Sequence, residues 1–171
     1  MIGKTMTAAR HPRKRPALGG PLLALAAVAA LLAPPGPLAA ATTQYVVVDR
    51  YTGLAILGFD PVAYFEGTAL EGKGEHELAL AGAVWRFRNA GNLAAFAMDP
   101  DVYIPRFGGY DPVGVAEGIA LPCDPRLWLV SGQRLYLFHS AEARAAFAAN
   151  EDAIIADAER NWPSVQRTLS P

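Results

Sequence analysis

The clearest hydrophobic pattern in the chain is a pair of short alternating runs in each half. Over 76–80 and 84–88 apolar and polar residues take turns, as in Val84-Trp85-Arg86-Phe87-Arg88, with Ala81-Gly82-Ala83 between the two runs. A period of two places alternate side chains on opposite faces of a strand, and a glycine-containing connector between two such runs predicts an antiparallel hairpin. Runs over 127–130 and 135–139, joined by Ser131-Gly132-Gln133-Arg134, predict a second hairpin. Behind each hairpin a short helix is expected, over 91–98 and over 141–149, with Asn89 and Ser140 placed to accept from the free N–H groups of the first turn. One more helix is expected over 151–160, with Ile154, Ile155 and Ala158 on one face and Trp162-Pro163 as its stop.

The two halves also match residue by residue. Gly58-Phe59-Asp60-Pro61-Val62 returns as Gly109-Tyr110-Asp111-Pro112-Val113, Glu66-Gly67 as Glu117-Gly118, and Ala94-Ala95-Phe96 as Ala145-Ala146-Phe147, always 51 positions later. A constant offset over separate blocks reads as an internal duplication, with units over about 57–105 and 108–157. Each unit opens on an aromatic-Asp-Pro-Val turn, in which Asp bonds the backbone and Pro fixes φ; a strand is expected after it. Gly58 and Gly109 are expected to serve special backbone angles. The fold class expected is α+β: a single domain of two duplicated strand-turn-hairpin-helix units with antiparallel strands, plus a C-terminal helix.

Residues 1–16 are basic without an acid, 21–33 are apolar without a charge, and Pro34-Pro35-Gly36-Pro37 leads to Ala39-Ala40-Ala41. Basic, then apolar, then small is the layout of a secretory signal peptide. The expectation is a signal over 1–41, with an uncleaved membrane anchor as the alternative, and a periplasmic or secreted domain over 42–171. Removing that leader leaves ten basic against sixteen acidic side chains, a formal charge of −6. An acidic domain without a Lys/Arg cluster lacks the electrostatic footprint of a nucleic-acid binder. Cys123 is the one cysteine, so no disulfide can form within the chain.

These motifs resemble the YHS-domain family, specifically its exported branch without metal-binding cysteines. The resemblance is carried by Gly58-Phe59-Asp60-Pro61-Val62-Ala63-Tyr64-Phe65, the stretch from Trp85 to Phe96, Asp99-Pro100 leading to Tyr103, Pro105 with Gly108-Gly109-Tyr110, Leu135-Tyr136-Leu137 and Asn161-Trp162-Pro163. It implies treble-clef-like units related to TRASH-type metal-binding domains. In such relatives the ligands follow the Asp-Pro-Val turn, the aromatic end of the second hairpin strand and the next helical turn. Those places fall here on Ala63, Arg88 and Asn92, and on Gly114, His139 and Ala143. Only His139 is a usual ligand, whereas structural zinc or thiolate copper needs three or four converging Cys or His. The resemblance therefore brings no metal or other cofactor to this chain. The branch also continues its second glycine-aromatic motif with Cys-Ala, where this chain has Asp111-Pro112.

Tyr64, Arg88, Tyr103, Arg106 and Tyr110 are the residues that the repeats would gather near the junction of the units, as a groove for a small anionic ligand or a protein partner. His139, at a strand end beside a helix start, joins them as a pH-dependent or metal contact. Each also has a plain structural reading: core tyrosines, rim arginines, a histidine bonded to a carbonyl. Asp60 and Asp111 read first as turn formers, Cys123 as an inert thiol, and Trp85, Trp128 and Trp162 as core. No Ser/His/Asp order, phosphate loop, HExxH helix or CxxC is present. The expected function is a non-enzymatic binding or accessory module. Two alternatives stay open: a weak copper or zinc site of His139 with His76, Cys123 or Asp111, and an enzyme with its site at the junction of the halves.

Overall fold

In the computed structural model, which describes residues 46–169, both hairpins form. Strands β1 (Lys73–Leu80) and β2 (Ala83–Phe87) make one antiparallel two-stranded sheet, and β3 (Asp124–Ser131) and β4 (Arg134–Phe138) another. Leu80 pairs with Ala83 and Ser131 with Arg134, so each connector has two residues, and all four have positive φ. Two left-handed residues in sequence give the turn whose twist matches that of the flanking strands. Both ladders are irregular at the same place, between Lys73 and Glu77 and between Asp124 and Trp128. Helices α1 (Ala90–Met98) and α4 (Ala141–Ala149) follow, capped by Asn89 and Ser140, whose side chains accept from the N–H of Asn92 and Ala143. The second hairpin and helix begin and end 51 residues after the first.

Two expectations are corrected. The Asp-Pro-Val turns lead into helix rather than strand: a 3-10 turn at Ala63–Glu66 and helix α3 (Pro112–Ala116), with α2 (Pro100–Tyr103) between α1 and α3. The Asp111 side chain caps the N–H groups of Val113 and Gly114, and Pro112 sits in the first turn, where its missing N–H costs nothing. The C-terminal helix α5 (Glu151–Leu169) does not stop at Trp162 but carries Pro163 inside it. Tertiary contacts override the breaker: Val165 is 1 % exposed, Leu169 packs on the same core, and Asn161 Nδ2 donates to the Ala116 carbonyl at 2.7 Å. The expected leader lies outside the described residues, all of which fall within one compact unit. Among the described residues no helix is long and apolar enough to cross a membrane.

The hydrophobic residues form two clusters, and β4 divides them. Leu135 and Leu137 belong to the first, with Trp85, Phe87 and Phe96; Tyr136 and Phe138 belong to the second, with Val115, Phe147 and Val165. Because side chains alternate along a strand, a strand buried on both faces can serve two cores at once. The aromatic packing is nearly the same in each. Phe96 lies 5.0 Å from Trp85 and 5.1 Å from Phe87, centroid to centroid, while Phe147 lies 4.8 Å from Tyr136 and 5.3 Å from Phe138.

Gly58 and Gly109 do occupy left-handed backbone, at φ +83° and +88°. Each follows residues with positive φ that carry side chains, Ile56 and Leu57 in one case and Phe107 in the other, so both turns hold local strain. A proline inside a helix removes one hydrogen bond and crowds the preceding turn, and Pro163 is exposed. Pro163→Ala is expected to raise the unfolding free energy by about 1–3 kcal/mol, read as a higher urea midpoint at unchanged slope.

Candidate functional site

Asp60 and Asp111 are fully buried, at 0 % exposure. Asp60 Oδ1 accepts from the N–H of Val62 at 2.8 Å and of Ala63 at 3.4 Å, and its Oδ2 from the Arg88 N–H and from Asn92 Nδ2, both at 2.7 Å. Asp111 repeats the arrangement with Val113 at 2.8 Å, Gly114 at 3.4 Å and the His139 N–H at 2.8 Å. Each carboxylate thus ties its turn to the end of its own hairpin. Among the described residues no buried side-chain nitrogen or oxygen lacks a partner.

The same bonds locate the places where the resemblance puts metal ligands. Ala63, Arg88 and Asn92 all donate to Asp60, and Gly114 and His139 both donate to Asp111, while the Ala143 N–H goes to the Ser140 hydroxyl. A carboxylate stands where these positions meet. Among the described residues no three His, Cys, Asp or Glu are grouped to hold a metal ion. The His139 side chain is exposed, with Nδ1 2.9 Å from the Pro122 carbonyl.

The other residues expected to line a groove are spread through the fold. Tyr64 is 1 % exposed, packs edge-on to Trp128 and donates its hydroxyl to the Pro125 carbonyl at 2.8 Å. Burial raises its ionisation well above the ordinary tyrosine value, and it offers no surface to a ligand. Tyr103 is half-buried against Phe65 and Phe96. Tyr110 is half-buried beside Trp162, and burial again raises its hydroxyl. Arg88 is exposed, with Nη1 3.4 Å from the Glu71 carbonyl. Trp85 is wholly buried, whereas Trp128 and Trp162 are half-buried.

Of the six, Arg106 alone lines a cleft of about 360 Å³, together with Asp101, Ile104, Pro105, Phe107, Arg134 and Trp162. It lies where the end of α2 and the 3-10 turn Arg106–Gly109 face the start of β4 and the middle of α5. Arg106 pairs with Glu159 of α5 through Nη2, and its guanidinium carbon is 5.5 Å from the centre of the Phe107 ring. Arg134 donates from Nη1 to the Asp101 carbonyl at 2.8 Å. Trp162 meets Phe107 edge-on at 5.7 Å. A guanidinium carries five N–H donors in a plane, and among the described residues each of these two makes one side-chain hydrogen bond. A second hollow, of about 320 Å³ at the tip of the first hairpin, is lined by the aliphatic and glycine residues 79–84 and presents no charged side chain.

Arg134, Trp162 and Phe107 had not been singled out as site residues from the sequence. A signal for Arg134 was present in the repeat: 51 positions earlier stands Ala83, and 51 before Arg106 stands Ala55, both buried apolar residues. Nothing in the repeat points to Trp162, which lies in α5 beyond the second unit.

Cys123 is 7 % exposed, and burial pushes its thiol up to about 12. Because the folded value lies above the ordinary 9.0, the unfolded chain ionises first; the thiol's contribution to stability is complete below pH 9.0 and is lost as pH rises toward about 12. Only the thiolate is nucleophilic. The native protein at pH 8 should therefore react with a chromogenic disulfide reagent far more slowly than the chain in guanidinium, which absorbance on mixing will show.

Comparison of the chain with family models, curated proteins and solved structures gives no match, so the chemistry of the cleft rests on its own residues.

Proposed function

We propose that this chain is an exported binding module of the YHS-domain type, without catalytic activity, that takes a small anionic ligand in the cleft of Arg106, Arg134 and Trp162. The observation that carries the reading is the convergence of two partly unsatisfied guanidinium groups and an indole on one cleft. Such a site supplies orientation through a few charged donors and contact area through aromatic walls. Its lining holds no His, Cys, Ser, Thr or Lys to act as nucleophile or base, and Asp101 is its one carboxylate. The buried groups elsewhere are ill suited to that role too: Asp60 and Asp111 are held by backbone donors, and the Cys123 thiol stays protonated.

The family reading draws support from how far the offset of 51 extends. Beyond hairpins and helices it relates the left-handed turns at 56–58 and 107–109, the Phe59–Glu71 and Tyr110–Pro122 bridges, and the bonds from Asp60 N–H to Leu70 and from Asp111 N–H to Leu121. Duplicated treble-clef-like units account for such matching in irregular segments better than convergence does. Export rests on the composition of the leader alone.

Backbone-amide NMR of the chain from Thr42 onward, titrated with acetate and then with inorganic phosphate, tests the site. Shift changes concentrated on 101–107, Arg134 and Trp162 are expected. Changes confined to other surfaces, or none with either anion, would remove the cleft from consideration.

A further inference from the structure

The walls of the cleft say more about its occupant than its sign of charge. Arg106 and Arg134 occupy positions that the first half of the chain fills with Ala55 and Ala83, at 0 % and 5 % exposure.

The charged donors of the cleft are two planar guanidinium forks, whose geometry matches the oxygens of a carboxylate or a phosphate. Charge narrows the choice further. Asp101 lines the cleft and Glu159 pairs with Arg106, so two carboxylates face two guanidinium groups, and a second negative charge on the ligand would meet repulsion. The flat surface of Trp162, braced by Phe107, suits a ring rather than an aliphatic chain. The volume lies near the small end of the roughly 300–1,000 Å³ usual for small-molecule sites.

We infer that the cleft is built for a flat monocarboxylate, an aromatic or conjugated ring bearing one carboxyl group, with the ring on Trp162 and the carboxylate between Arg106 and Arg134. This rests on the cleft reading above and narrows it. Isothermal calorimetry with indoleacetate, its neutral amide and inorganic phosphate separates the two claims, using the unaltered chain, Arg134→Gln and Trp162→Leu. Arg134 is exposed, so the Gln variant keeps the fold intact.

Indoleacetate should bind, and both removal of its charge as the amide and Arg134→Gln should weaken binding by roughly tenfold or more, the loss of a charge-assisted hydrogen bond. Trp162→Leu should weaken indoleacetate and leave the acetate-induced amide shifts of the cleft in place. Phosphate that binds as tightly as indoleacetate, or an amide that binds equally well, overturns the ligand class while the cleft stands as a site. Absence of binding by all three probes, together with silent amide spectra, overturns both.

Discussion

Two buried carboxylates hold the least regular parts of this chain in place. Asp60 and Asp111 each sit at a turn that follows left-handed backbone, and each reaches the N–H that ends its hairpin, at Arg88 or His139. A buried polar group is costly unless it is hydrogen-bonded, and a backbone N–H away from water is costly unless it finds an acceptor. The turn and the hairpin end meet both needs together. Position, more than propensity, makes Asp the residue at the head of each unit.

Around these anchors the apolar residues complete the structure. Each hairpin alone is two-stranded, and a two-stranded sheet is marginal in water. Its stability comes from what it packs on: Phe96 from α1 against β2, and Phe147 from α4 against β4. β4 then joins the cores, with Leu135 and Leu137 on one face and Tyr136 and Phe138 on the other. The α5 helix seals the second cluster through Ala158 and Val165.

The cleft arises where the two halves stop matching. In the first half, Gly53 and Ala55 exchange backbone hydrogen bonds with Val84, and the positions of the two arginines are filled by alanine. In the second half, Arg106 and Arg134 stand at those positions, and α5 brings Glu159 and Trp162 against them. The halves differ there in backbone pairing as well as in side chains: Leu54 bridges Val84, and among the described residues no such bridge joins Pro105 to Leu135.

Much of the local structure was legible in the sequence, because it depends on near neighbours. Alternation fixed both hairpins, Asn89 and Ser140 marked the helix starts, and the repeat paired the elements at the right offset. Of the six residues read as a groove, Arg106 alone lies on the cleft of Arg134 and Trp162. Whether Tyr64 is a binding surface or a buried strut, whether Asp-Pro opens a strand or a helix, and whether Pro163 ends α5 are settled by contacts between residues far apart in the chain: Tyr64 with Pro125, Asp60 with Arg88, Asn161 with Ala116. A pattern along the chain reports which face of an element prefers water. What that face meets depends on where the other elements stop, and only the tertiary structure decides it.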